Sequence, residues 1–454
     1  MSRADDRDLL LERADALVNR ARRAGADVAE AVARSGRELS VKVRLGQIEQ
    51  LEEAGSRSIA LRVMIGQRQA ATSTSDLSED GLNTLVEDAI ELAKLSEPDP
   101  LAGPPEAALL ARDHADLALF DPSVDAIEAS TGVALARRAE DAARGADPRI
   151  TNSEGASFSR TTGTSALVTS GGFRGAYRGS SVSLYVAPVA DDANGKKQRA
   201  AYWDGGRFFG ALEAPEAIGL EAARRTVAKL GAKKVPTGEY PIVFLREPAS
   251  ALLGLLLGCV NGGAIYRRAS YLADKLGQPI GAPELELVDD PLVPRGPGSR
   301  PFDGEGLASR RNVVVRGGVL EQFLLDTYSA RKLGMASTAS AARGGAMPSP
   351  SATNFWMTPG EASPEQLVAG LERGLVVTGM MGFGFNAVTG DFSRGAEGYW
   401  VEHGERVHPV AEVTVSLGFP ELWSRVEARA SDLDRRSRVA SPALRIARMT
   451  VAGS

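Results

Sequence analysis

The chain has 454 residues, a formal net charge of -5, 43% hydrophobic residues and one cysteine. That length exceeds what a single ordinary core fills, so two domains are expected. The acidic balance argues against a basic surface for nucleic acid, the lone Cys259 excludes an internal disulfide framework, and no apolar run reads as a signal peptide or a bilayer span. The expectation is a cytoplasmic protein with no membrane partner and no direct nucleic-acid partner.

Leu10, Ala14, Leu17, Val18 and Ala21 fall on one face of an opening helix that Gly25 can end. The period then changes. Leu39, Val41, Val43 and Leu45, then Ile59, Leu61, Val63 and Ile65, alternate as in strands over 38–45 and 57–65, which predicts a sheet with one solvated face. Ser78 opens a second helix, on which Leu82, Leu85, Val86, Ala89, Ile90 and Ala93 form an apolar stripe. Residues 98–122, with five prolines, read as a connector, and a third helix spans roughly 124–144. From 150 to 212 Ser, Thr and Gly alternate with hydrophobics, as in SALVTSGG and SVSLYVAPV, which suits antiparallel hairpins. A fourth helix, about 214–231, ends at Gly231.

GAKKVPTGEYP then marks a boundary. The predicted class is α+β. An N-terminal domain, 1–232, packs helices on an antiparallel sheet, and a C-terminal domain, 238–454, is strand-rich, barrel-like or sandwich-like, with a few helices. In the second domain PIVFL leads directly into a helix beginning REPASA, with Pro248 in its first turn. Short strands and Gly-rich turns follow, interrupted by loops at 280–301 and 337–355. The second of these, low in complexity, is expected to be mobile or ordered only by a ligand. No internal repeat is visible.

The stretch YWVEHGERVHPV, 399–410, holds two of the chain's three histidines, His403 and His408, around Glu405. A helical zinc site needs its histidines on one face of continuous helix. Here the flanks are strand-like, Gly404 sits at the reversal and Pro409 would break a helix, so a hairpin without a metal role is expected. His114 has no partner at ligand spacing and reads as a surface residue. Asp303 and Glu305 in FDGEG can hold a hard cation or act as an acid/base pair, but in a Gly-rich turn the expectation is that they cap backbone amides. Cys259, within LLGLLLGCV, reads as a small buried apolar residue. Lys196 with Lys197, and Lys233 with Lys234, read as solvated loops. There is no nucleophile elbow, phosphate-binding loop or dinucleotide fingerprint. The glycines of GMMGFGFNAVTG lack an acidic partner. Composition and spacing yield no complete catalytic constellation.

GGAIYRRASYL (262–272), GSRPFDGEG (298–306), GVLEQFLLDTYSARKLG (318–334), TGDFSRGAEGYWVEHGE (389–405) and the closing MTVAG (449–453) resemble the TldD/PmbA family, most closely its PmbA branch, also called TldE. The resemblance implies a subunit of a heterodimeric zinc metallopeptidase that cleaves small or unfolded peptides, including precursors of modified peptide natural products. In the TldD partner of that family a helix after an apolar strand carries HExxxH, and a cysteine near the C-terminus adds a ligand. Carried onto this chain, those positions hold Arg246, Glu247, Ala251 and, near the C-terminus, about Ser441. Arg246 is a permanent cation and Ala251 has no donor atom, so the resemblance implies no metal and no catalytic residue here, with zinc in a TldD-like partner. It implies a non-catalytic chain that completes the active-site enclosure and helps hold the peptide. Asn354 and Phe355 in NFWMTPG, and Asp391 and Arg394 in TGDFSRGAEGYW, are the candidate peptide-binding residues. Two other readings remain: an autonomous metal-dependent peptidase using His403, His408, Asp303 and Glu305, and a regulatory binding protein acting on DNA or a topoisomerase.

Overall fold

The computed structural model describes residues 5–453. Its first half is built on one antiparallel sheet, in the order Arg68–Thr74, Gln47–Ile65, Val28–Arg44, Ile150–Thr169, Arg174–Asp191, Lys197–Arg199, with Tyr202–Gly206 also paired to Arg174–Asp191. Ala29, Ala31 and Ala33, and further along Leu39, Val41 and Val43, share one parity of Val28–Arg44 and so one face. Helices Asp5–Arg23 and Glu79–Leu95 cover the first group. Helices Ala129–Gly145 and Pro215–Val227 cover the second. On the opposite face Val32, Leu167 and Phe173 pack against Phe302 of the second half.

Both early strands are longer than the periodicity predicts. Val28–Arg44 begins in an Ala-rich stretch that gives a weak alternation, and residues 47–57 of the next strand are exposed on both faces, which leaves no hydrophobic pattern to read. Ser78 caps the second helix as expected, accepting the Gly81 N–H at 3.1 Å. The predicted 124–144 helix is divided into Pro122–Asp125 and Ala129–Gly145. The 98–122 segment is more than a connector: it straps the two halves together, with Tyr328 donating to Asp99 at 2.7 Å, Ala111 N–H donating to Gly306 O at 2.9 Å, and Leu117 and Leu119 buried.

The second half closes a five-stranded barrel from Glu405–Ser416, Ser393–Glu402, Arg373–Met381, Gly238–Phe244 and Leu444–Ala452, the ring being completed where 414–416 pair with 450–452. Ile242, Phe244, Leu375, Val377, Ile446 and Val451 form one core with Leu252, Leu253 and Leu256 of the helix Arg246–Cys259. A second, mixed sheet runs Val319–Leu320, Asn312–Arg316, Leu287–Asp289, Phe355–Met357, Val439–Ala440.

Two expectations are corrected here. The 280–301 loop contains the strand Leu287–Asp289, whose three residues are too few to carry a period. The 337–355 loop is tied into the fold by its own residues, although Gly344, Gly345, Met347 and Ser349 are exposed. Thr338 and Ser340 are buried, Ala341 N–H donates to Asp303 Oδ2 at 3.1 Å, and 341–342 pair with 349–350. Its hydroxyls and small residues satisfy buried backbone groups, so its composition does not signal mobility here.

Candidate functional site

The strand Gly238–Phe244 runs parallel to Arg373–Met381 and passes directly into the helix Arg246–Cys259. The end of a parallel pair, with a helix N-terminus beside it, is where α/β sheets gather ligands. The barrel ladder is also irregular there. Register shifts fall between Val377 and Gly379 and between Ala396 and Gly398, and Glu412 has φ 56°. Such bulges re-aim side chains and cluster near functional sites. They border a cavity of 670 Å³ between the two halves, lined by Glu221 and Arg225 of Pro215–Val227, by Arg246 and Glu247, and by Thr378, Glu397 and Arg406 of the barrel.

The degenerate motif positions stand around this cavity and are occupied by ion pairs. Glu247 receives Arg225 Nη1 on both carboxylate oxygens at 2.9 Å, and Arg225 Nε also donates to Glu221 Oε1 at 2.8 Å. The hydrogen bonds from Arg224 hold the Glu221 carboxyl down at about 2. Arg246 Nη2 is 3.6 Å from Asp434 Oδ2, which Arg436 holds at 2.7 Å. Burial pushes the Asp434 carboxyl up, but the Arg436 hydrogen bonds outweigh it and leave it below its ordinary value. Ser441 is buried. Its N–H donates to Ser250 Oγ at 2.9 Å, and Ser250 Oγ in turn donates to Arg246 O at 2.7 Å, so the C-terminal position is tied to the helix's first turn. Ala251 is exposed and offers a methyl group.

These side chains do not fit a zinc ion. They supply no imidazole and no thiolate, and the one carboxylate at the motif is neutralised by a guanidinium. Among the described residues no group of three or more His, Cys, Asp or Glu is placed to hold a metal.

The other candidates lie elsewhere. His403 and Gly404 form a two-residue turn between the paired Glu402 and Glu405, and His403 Nδ1 is 2.6 Å from Glu372. His408 sits opposite Trp400 on the returning strand, its Nδ1 3.0 Å from Pro409 O. Asp303 Oδ1 accepts the N–H groups of Glu305 and Leu307 at 2.8 and 2.9 Å, and Glu305 Oε2 accepts the N–H and hydroxyl of Thr327 at 2.8 and 2.7 Å. Both carboxyl groups therefore tie backbone together inside the protein. Cys259 is buried, which pushes its thiol up to about 11. His114 is exposed and meets the edge of Phe302 at 5.3 Å.

Of the peptide-binding candidates, Phe355 lies fully buried in the main core. Asn354 spends its amide on Asp290 O, Ser299 Oγ and the Gly298 N–H. Asp391 is exposed and accepts the Thr389 hydroxyl. Arg394 is half-buried, with Nε lacking a hydrogen-bond partner among the described residues. None of the four lines the cavity. Sequence reasoning missed Arg225, Asp434 and Arg406, because they reach the site from separate elements with no spacing to betray them.

Family models match along most of the chain: the PmbA/TldA metallopeptidase domain 1 over 29–93, the central domain over 122–230 and the C-terminal domain over 237–453. Metalloprotease PmbA of Escherichia coli O157:H7 is 36% identical over 416 residues, spanning 91% of this chain and 90% of that protein. A crystal structure from Bacteroides thetaiotaomicron, described as a candidate modulator of DNA gyrase, superposes with TM-score 0.91 at 26% identity and covers 98% of each chain. The crystal structure of TldE from Thermococcus kodakarensis has the same fold, with TM-score 0.85 at 20% identity over 97% of this chain and all of that one. The chain belongs to the PmbA/TldD metallopeptidase family, on its PmbA/TldE side.

Proposed function

We propose that this chain is the non-catalytic, TldE-like half of a cytoplasmic heterodimeric zinc metallopeptidase acting on small or unfolded peptides, with the zinc held by a TldD-like partner. The observation that carries the reading is the first turn of the helix Arg246–Cys259. Arg246 brings a fixed positive charge to the motif, and Glu247 is bound by Arg225 instead of facing a metal-bound water. A lone, neutralised carboxylate cannot perform metal-assisted hydrolysis.

Two further observations support a partner and a peptide. At the end of Arg373–Met381 and in the segment that follows it, Phe383 is 97% exposed and Met381 and Val388 are 52% and 56% exposed, large apolar side chains of the kind subunit interfaces cover. The same strand continues past its last pairing with Gly238–Phe244, at Val377 and Phe244, which leaves 378–381 as an edge to which an extended peptide can add by main-chain hydrogen bonds.

The test is metal content and hydrolysis of an unstructured peptide, with the chain purified alone and together with a TldD-like chain. Alone it is expected to be inert and to carry no stoichiometric zinc; together the pair cleaves the peptide with one zinc per pair. Hydrolysis by the isolated chain, with zinc lost on His403→Ala and His408→Ala, would establish an autonomous peptidase instead.

A further inference from the structure

We propose that the cavity beside the helix Arg246–Cys259 receives short peptides by their free C-terminal carboxylate, with Arg406 as the receiving group. The inference rests on the peptide-holding reading of the same site and specifies what that site recognises.

The cations lining the cavity are nearly all matched. Arg224 and Arg225 bind Glu221, Arg225 also binds Glu247, Lys229 lies 2.6 Å from Glu397, and Arg246 faces Asp434. Arg406 is the exception. It stands on the strand Glu405–Ser416 with its guanidinium 5.3 Å from the Tyr399 ring centroid, and no carboxylate lies within ion-pair distance of it among the described residues. Glu365, also on the cavity wall, attracts it only from beyond that distance. A guanidinium held over an aromatic ring by cation–π attraction gives up less side-chain freedom when it binds a carboxylate through two parallel hydrogen bonds.

The remaining wall suits a peptide more than a compact multivalent anion. Glu365 and Asp432 also line the cavity without an ion-pair partner among the described residues, which disfavours a multivalent anion and leaves Arg406 as the one lining cation open to a single carboxylate. Thr378 and Gly379 line the cavity beyond the last paired residue on their side of the ladder, where a ligand's main chain can run. A volume of 670 Å³ lies within the range that encloses small ligands.

The test titrates the full chain with trialanine and with trialanine amide, by calorimetry, using the unmodified protein and Arg406→Gln. Arg406 is exposed, so its replacement leaves the core intact. Trialanine is expected to bind, and amidation or Arg406→Gln each to weaken it by about tenfold or more, the effect of losing a charge-assisted hydrogen bond. Equal binding of both peptides, or a silent Arg406→Gln, overturns the carboxylate inference and leaves the peptide-holding reading standing. Displacement of trialanine by inorganic phosphate at equal concentration also overturns it. Binding of neither peptide overturns both.

Discussion

Arg225 clasps Glu247 across the junction of the two halves, one guanidinium nitrogen lying 2.9 Å from each carboxylate oxygen. The contact is partly solvated, so its contribution is that of a surface pair, roughly 0.5–1 kcal/mol. Glu247→Gln is therefore expected to shift the unfolding midpoint by no more than about 3 °C. Peptide hydrolysis by the heterodimer should change less than threefold. A loss of a hundredfold or more, with the midpoint unchanged, would identify Glu247 as a working base and sink the non-catalytic reading.

Phe355 is buried in the main core, between Leu287–Asp289 on one side and Val439–Ala440 on the other. Removing its ring leaves a cavity that rigid neighbours cannot fill. Phe355→Ala should cost about 3–5 kcal/mol, seen as a lower denaturant midpoint at unchanged slope. Weakened peptide binding with full stability would show that Phe355 meets substrate after all.

His403 and Gly404 both have positive φ, 50° and 79°, as the two central residues of a tight hairpin turn require. The residue type suited to the first of these positions is asparagine, and β-branched residues are poorly suited. His403→Asn is expected to hold or raise stability by a few tenths of a kcal/mol, and His403→Val to lower it by about 1 kcal/mol. Thermal unfolding of the two variants decides this. The reverse order would mean that the contact with Glu372 matters more than the turn.

Glu305 is buried beside Asp303 and Asp326, with Thr327 donating to it, and Arg300 lies by Asp303. Burial first, then the charge of Asp303, raises its carboxyl to about 8, against 4.5 when free. Between those values the folded chain keeps a proton that the unfolded chain has released. This contribution to stability is complete below pH 4.5, falls as pH rises, and is gone above about 8. Glu305→Gln keeps an acceptor for Thr327 and removes the titration. Denaturant midpoints measured from pH 5 to 8.5 should decline less steeply for the variant than for the parent. Parallel curves would mean that Glu305 is ionised in the folded protein throughout.

The helix stripes of 78–95 and the strand parity of 57–65 were legible because half-burial writes a period into the sequence. The outer half of Gln47–Ile65 has no buried side, so it carries no such mark. Leu287–Asp289 and Phe355–Met357 are too short to repeat and become strands only by pairing with each other. The site divides in the same way. Arg246, Glu247 and Ala251 lie on one helix and could be found by resemblance, whereas Arg225, Asp434 and Arg406 converge on it only when the chain closes. The 337–355 loop misled for a related reason, since Thr338, Ser340 and Ala341 are buried and bonded into the second half, and Arg343 is held by Arg34 and Glu30 of the first.

That packing makes the last prediction. Glu30, on the first sheet, is fully buried between Arg62 of the same sheet, at 3.3 Å, and Arg343 of the 337–355 loop. Arg34 reaches the same loop, donating to Gly344 O at 3.2 Å. Burial pushes the Glu30 carboxyl up, but the two guanidinia outweigh it and hold it below its ordinary value. The charge is thus kept, and the stability it brings is present at neutral pH and lost as pH falls through the lowered value. Glu30→Ala would leave two guanidinia without their shared carboxylate in a buried space, at a cost of about 3–5 kcal/mol. The loop should loosen with it, so amides near 340–346 should exchange faster with solvent in the variant than in the parent. A cost below about 1 kcal/mol with unchanged exchange would mean that the apolar contacts of Phe302 with Val32 and Phe173, and not this charge cluster, hold the two halves together.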